Sequence, residues 1–313
     1  MNRPPTRRRL PGRAPDGDRG RVSPSPGNEP SPTPRARFLA ADAYRAEREW
    51  KRYEGTPQRD LFRELRRRFL ERHAVDSGWV ADIGAGPGRF TPSLGGPGVR
   101  RVALDLSREM LTYRSPHEPV LGAGFSSFVD RVEGDALAPP FAPGSFREVA
   151  LVGNALGFAG GEWDHLLDSV ERLVAAGGTL IVEIAPGPGE RSRYLSRLPA
   201  SAVGRLFSAP IRAFVPRVHG EGFETEPSRH RADSFQRLDV GALVKRWGSG
   251  WEVLETVAVA PCLGPELERI ARVRPTPKAW NHLLELEELV GREPVRWKAA
   301  AAVLLAARRV LRT

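Results

Sequence analysis

The chain has 313 residues, 40% apolar and 27% charged, and a formal net charge of +10. This is an ordinary globular composition, long enough for one large domain with accessory helices. No apolar run approaches the roughly 18 residues that a membrane-spanning helix needs. The single cysteine, Cys262, excludes an intramolecular disulfide and every multi-cysteine metal site, which fits a reducing, cytoplasmic setting.

The positive charge is almost all arginine, because Lys51, Lys245, Lys278 and Lys298 are the only lysines. It is concentrated at the start, where Arg3, Arg7, Arg8, Arg9, Arg13, Arg19, Arg21, Arg35 and Arg37 face only Asp16, Asp18 and Glu29. Residues 1–37 are also dense in Pro, Gly and Ser and poor in large apolar residues. They are expected to be disordered, since they bury too little surface to offset the entropy of ordering. Two readings of this tail stand side by side: a solvated extension, or an electrostatic arm for nucleic acid or another acidic partner.

From residue 38 to 75 the composition turns to Ala, Arg, Glu, Leu and aromatics. Phe62, Leu65, Phe69 and Leu70 recur at helical spacing, so one or two amphipathic helices are expected, broken at Gly55-Thr56-Pro57 and capping a cleft. After Asp76-Ser77-Gly78 short apolar runs alternate with helical stretches, the pattern of a parallel α/β sheet, and residues 76–313 are read as one such domain. Strands are expected near 79–83, 101–105, 129–133, 147–153 and 178–184, with helices after Gly88, Ser107 and Trp163. A further helix is expected at 239–247, a sixth strand at 251–261 and a last one at 299–308. Residues 187–234 are too long for a simple connection and read as a lid-like insertion; residues 265–291 read as a helical one.

The densest motif is Val80-Ala81-Asp82-Ile83-Gly84-Ala85-Gly86-Pro87-Gly88-Arg89-Phe90, an apolar strand running into a glycine-rich turn. Gly84, Gly86 and Gly88 allow positive φ and close approach of a ligand to backbone, and a following helix would offer free N–H groups. A dinucleotide fingerprint wants glycine where Arg89 stands, and a Walker A loop wants Gly-Lys-Ser/Thr, so both phosphate-binding readings lose ground. Asp82 suits a ligand with cationic amino or sulfonium groups, or a role bracing the loop; the two are compatible. A second strand ends at Asp105, able to accept two ribose hydroxyls, and a third is followed by Asp135, able to accept from an adenine amino group. Three acids thus fall at three successive strand ends.

These residues carry a resemblance. The stretch Asp82 to Gly88, the segment Leu104-Asp105-Leu106-Ser107-Arg108-Glu109-Met110-Leu111, and Gly134-Asp135-Ala136 followed by Pro140-Phe141 and Ser145-Phe146 resemble the class I S-adenosylmethionine-dependent methyltransferases, in particular the type 11 group. Ala175-Ala176-Gly177-Gly178-Thr179-Leu180 is similar to that group's turn into the fifth strand. The resemblance implies a Rossmann-like α/β fold: a seven-stranded, mostly parallel sheet with helices on both faces and the last strand antiparallel. It implies S-adenosyl-L-methionine as cofactor, with Asp82, Gly84 and Gly86 at the methionine moiety, Asp105 at the ribose, and Asp135 with Ala136 at the adenine. Ala85, Gly88, Leu106 and Asn154 complete the implied contact set.

The acceptor side is less specific. Family members that methylate an exocyclic or amide nitrogen often carry Asn/Asp-Pro-Pro-Tyr/Phe after the fourth strand. Here the stretch is Gly153-Asn154-Ala155-Leu156-Gly157-Phe158, which matches only at Asn154. Methyl transfer from a sulfonium disperses charge in line, so orientation can carry the catalysis and no catalytic residue is assigned. His165, His219 and His230 are the histidines best placed to serve an acceptor that must lose a proton, with a surface role as the alternative. Leu195, Leu198, Val203, Leu206, Phe207, Ile211 and Phe214 form an apolar stripe that either covers an acceptor pocket, with Tyr44, Trp50 and Tyr53, or packs on the domain. No metal site is expected. The favoured acceptor is a small molecule or lipid-like metabolite; the alternatives are RNA or protein engaged through the tail, and a non-catalytic cofactor-binding regulator.

Overall fold

The computed structural model describes residues 46–113, 129–185, 238–261, 276–294, 297, 300 and 302–311. Seven strands, β1 (Trp79–Ile83), β2 (Arg100–Asp105), β3 (Val129–Glu133), β4 (Phe146–Leu151), β5 (Val174–Ile184), β6 (Trp251–Val259) and β7 (Ala302–Arg309), join in one sheet in the order β3-β2-β1-β4-β5-β7-β6. β1 to β5 pair in parallel, and β7 runs antiparallel to both β5 and β6. This is the expected Rossmann-like sheet with its last strand reversed.

The central strands are buried on both faces, and the two-residue period of β1, β4, β5 and β7 divides their side chains between two cores. Val80, Ala150, Ile181, Leu304 and Ala306 enter one; Ala81, Ile83, Val149, Leu151, Val182, Val303 and Leu305 enter the other. The first core is closed by α2 (Pro57–Arg72), which follows α1 (Ala46–Lys51). Thr56 caps α2 by accepting from the Arg59 N–H at 3.3 Å, Pro57 opens it, and Leu61, Leu65, Phe69 and Leu70 are buried at helical spacing. The second core is closed by α5 (Trp163–Glu171) and α6 (Val240–Trp247), the latter capped by Asp239. Two short helices, α3 (Arg108–Thr112) and α4 (Ala155–Phe158), follow β2 and β4.

Three expectations are corrected or refined. The helix expected after Gly88 is a single 3₁₀ turn, Thr91–Ser93, because Pro92 and the run Gly95-Gly96-Pro97-Gly98 remove backbone donors and raise the entropic cost of continuing it. The sixth strand stops at Val259 rather than residue 261, since Ala260 adopts φ 50° and leaves the extended region. Of the 265–291 stretch, the described part is α7 (Pro277–Gly291), which buries Leu283, Leu284 and Val290 in the first core. The tail 1–37 and the 187–234 insertion lie outside the described residues, as do Cys262, His219 and His230. Among the described residues no helix is long and apolar enough to cross a membrane.

Candidate functional site

The strand order changes direction between β1 and β4, and in such sheets the crevice at the carboxyl ends of those strands is where ligands bind. Gly84, Gly86 and Gly88 all take positive φ, at 69°, 56° and 79°. The Gly84 and Ala85 N–H groups donate to the Leu104 carbonyl at 2.8 and 3.0 Å, tying the turn to β2. A methyl on Gly84 would stand 2.8 Å from the Ala155 Cβ, so the β1 turn and the β4 exit are in contact; a methyl on Gly86 would meet nothing within 4 Å.

Asp105 joins two of these elements. Its Oδ2 accepts from the Gly86 N–H at 2.8 Å and its Oδ1 from the Ser107 N–H at 2.9 Å. The Gly86 N–H is therefore already engaged by protein, and with no long helix behind the turn the expected set of free backbone donors is not present there. The carboxylate, with about four acceptor positions, keeps capacity for a ligand hydroxyl beside these backbone bonds. Burial raises the Asp105 pKa, against the bonds from Ser107, Gly86 and Leu106.

Asp82 is 1% exposed. Its Oδ2 accepts from the Thr91 hydroxyl at 2.6 Å, and its Oδ1 has no protein partner. Burial pushes its carboxyl up to about 7, with the Asp105 charge adding and the Thr91 bond opposing. Asp135 accepts from the Leu137 N–H at 3.0 Å, and Gly134 donates to the Asp105 carbonyl at 3.0 Å, which sets the β3 exit beside that of β2. Ala136 packs against the second core. Asn154 takes φ 76° directly after Gly153 at 71°, and its buried Oδ1 is unpartnered. His165 is exposed on α5 rather than directed into the crevice.

The segment from Ala46 to Glu54 packs against this edge. The Arg89 guanidinium lies 3.9 Å from the Trp50 ring centroid and donates to the Trp50 carbonyl at 2.6 Å and to Glu54 at 2.9 Å. The Ala46 N–H donates to Glu109 of α3 at 3.2 Å. Tyr53 meets Phe90 edge-on at 5.2 Å. Among the described residues seven buried polar side-chain atoms lack a partner, and five belong here: Trp50 Nε1, the Tyr53 hydroxyl, Asp82 Oδ1, Arg89 Nε and Asn154 Oδ1. Folded proteins satisfy nearly all such atoms, and their gathering at one rim makes it the candidate site, with donors and acceptors together.

Thr91 and the pair Arg66–Glu183 carry no role in the sequence reading, and Arg89 enters it only as the residue in place of a third glycine. Arg66 donates to Glu183 through Nε at 2.8 Å and Nη2 at 2.7 Å, and Glu183 also accepts from the Gly153 N–H at 3.0 Å. Both charges carried a signal: Glu183 interrupts the apolar run Leu180-Ile181-Val182 before Ile184, and Arg66 lies on the stripe of Phe62, Leu65, Phe69 and Leu70. Thr91 carried none.

The sequence matches the family described as "Methyltransferase domain" over residues 81–182, a window that opens in β1 and closes in β5. No curated protein matches the chain. Among solved structures, it is similar to a chain of the complex containing the Haloferax volcanii Trm112 methyltransferase activator, at TM-score 0.49 and 16% identity over 88% of this chain and 98% of that one. It is similar to a SAM-dependent methyltransferase of Thermotoga maritima at TM-score 0.46 and 16% identity, over 87% and 99% of the two chains. Geranyl diphosphate C-methyltransferase of Streptomyces coelicolor follows at TM-score 0.44 and 15% identity, over 79% of each.

Proposed function

We propose that the chain is a class I S-adenosylmethionine-dependent methyltransferase, and that Asp82, Gly84, Ala85, Gly86, Gly88, Asp105, Leu106, Asp135, Ala136 and Asn154 line its cofactor cleft across the carboxyl ends of β1 to β4. The observation that carries this reading is Asp105, clamped between the Gly86 and Ser107 N–H groups at the strand-order switch with lone pairs left over for a ribose. Asp82, with its unpartnered Oδ1, suits the cationic amino group of the methionine moiety. Asp135 and Ala136 take the adenine end, and the described part of the 38–75 segment, residues 46–75, caps the cleft.

When bound, the cofactor supplies an electrophilic methyl on a sulfonium. The work left to the chain is to hold donor and acceptor in line and keep water out, for which no dedicated base is needed. The acceptor we favour is a small or lipid-like metabolite in a cytoplasmic setting, because the 153–158 stretch has neither the proline pair after Asn154 nor, at Gly157, the aromatic of amino-nitrogen methylating relatives. An RNA or protein acceptor reached through the arginine tail is the second reading, favoured by the charge of residues 1–37; it requires activity that falls steeply with salt and with deletion of the tail.

Calorimetric titration with S-adenosylmethionine and S-adenosylhomocysteine tests the cleft, with Asp105→Ala as the variant and NADH as the control ligand. Micromolar binding of both sulfur ligands, weakened by the variant, is the expected result. Binding of NADH instead, or an Asp105→Ala protein that binds like wild type, would overturn it. Transfer of labelled methyl to RNA or protein alone would overturn the acceptor class.

A further inference from the structure

We propose that Tyr53 positions the methyl acceptor, its phenol donating a hydrogen bond to an oxygen or nitrogen of a small polar molecule seated against the Gly153-Asn154 turn. This rests on the cofactor cleft proposed above. Tyr53 is 5% exposed, yet its hydroxyl has no protein partner. A buried phenol ordinarily finds one, and phenylalanine would fill the same space without leaving a donor unmatched.

The ring is held from several sides. It meets Phe90 edge-on at 5.2 Å, and the guanidinium carbons of Arg66 and Arg52 lie 5.3 and 5.5 Å from its centroid. The hydroxyl sits 3.6 Å from where a Gly153 Cβ would stand, so it overhangs the exit of β4. That exit is held in turn, because the Gly153 N–H donates to Glu183 and Glu183 is gripped by Arg66. One buried ion pair thus fixes the phenol and the turn it faces, the arrangement that holds a polar group to a narrow geometry. Ala155, two residues on, touches Gly84, so the hydroxyl stands beside the junction of the β1 turn and the β4 exit.

Burial pushes the phenol pKa up, against the charges of Arg66 and Arg52. The group therefore stays protonated at neutral pH and acts as a donor rather than a base. Its partner must hold one lone pair for the phenol and another electron pair for the incoming methyl, which selects alcohols, phenols and carboxylic acids, or amines with a neighbouring oxygen.

The test compares the full-length wild type with Tyr53→Phe in three measurements: S-adenosylhomocysteine affinity, melting temperature, and methyl transfer to ethanolamine, catechol, glycine and decanoic acid. The proposal expects an unchanged affinity, an unchanged or raised melting temperature, and a fall of about 10–100-fold in kcat/KM for the best acceptor, mostly in kcat. Unchanged kcat/KM would overturn it. So would a melting temperature lowered by several degrees, because the hydroxyl would then serve the fold, and so would a wild type that binds the cofactor product but methylates none of the four. A wild type that binds neither sulfur ligand would instead remove the cleft reading beneath it.

Discussion

Arg66 of α2 and Glu183 of β5, separated by 117 residues, form one bidentate ion pair with bonds of 2.8 and 2.7 Å. Burial alone would push the Glu183 carboxyl up and the Arg66 guanidinium down; the attraction between them overrides both, lowering the first and raising the second. Removing one partner leaves an uncompensated buried charge. Arg66→Leu is expected to cost about 3–5 kcal/mol in denaturant unfolding, whereas Arg66→Leu with Glu183→Leu recovers most of that loss. Equal costs for the single and double variants would show that the pair is not the source of the effect.

Gly84 and Gly86 share the left-handed region but face different surroundings. Alanine at Gly84 adds a clash with the Ala155 Cβ at 2.8 Å to its backbone strain, while alanine at Gly86 meets no protein atom within 4 Å. Gly84→Ala is expected to cost roughly 2–3 kcal/mol of stability, and Gly86→Ala about 1 kcal/mol, the strain alone. On the proposed cleft, cofactor binding should invert the order relative to stability, with Gly86→Ala losing at least about tenfold in affinity because its methyl enters open space beside Asp105. Thermal unfolding and titration with S-adenosylhomocysteine measure the two effects separately; a Gly86→Ala protein that binds like wild type would remove that residue from the cleft.

The glycine turn and the strand-end acids were legible because they are local: each motif lies on one strand and the turn after it. The same holds for β1, β4 and β6, whose apolar runs are bounded by glycine or proline in sequence. The helix expected after Gly88 does not form, because the breakers Pro92, Gly95, Gly96 and Pro97 act on the backbone directly. Tertiary partners were not legible. Nothing local joins Thr91 to Asp82 or Trp50 to Arg89, since the first pair depends on the 3₁₀ turn and the second on how α1 packs against the β1 turn.

Glu255 of β6 collects nitrogen partners from two directions. His73 Nε2 lies 2.8 Å away, Arg72 Nε 3.3 Å and Arg292 Nη2 3.0 Å. Burial would raise its carboxyl, but the bond from His73 and the charge and bonds of the arginines hold it at about 2. A depressed folded-state value contributes stability above the unfolded value near 4.5 and loses it as pH falls toward 2. Because Arg72 and Arg292 are partly solvated, Glu255→Gln is expected to cost only about 1 kcal/mol at pH 7. The gap between variant and wild type should close progressively below pH 4.5 in urea melts; a gap that stays constant to pH 2 would contradict the assignment.

Asp82 gives the opposite sign. Its folded-state carboxyl is raised from 3.8 to about 7, so between those values the native chain keeps a proton that the unfolded chain has released. Stability from this group therefore falls as pH rises through that window. Glu148, buried and likewise raised to about 7, contributes in the same direction, so Asp82→Asn is needed to isolate one group from the other. If the Asp82 carboxylate receives the amino group of S-adenosylmethionine, binding must release its proton. Affinity should then climb between pH 5.5 and 7, by up to about tenfold per unit well below the carboxyl value. Calorimetry in buffers of different ionisation enthalpy would register the released proton, and Asp82→Asn should abolish both the climb and the release. Thr91→Val, which removes the bond opposing the shift, should move the midpoint of the climb to higher pH. A wild-type affinity flat across that interval would remove Asp82 from direct contact with the cationic group and leave it the role of bracing the turn through Thr91.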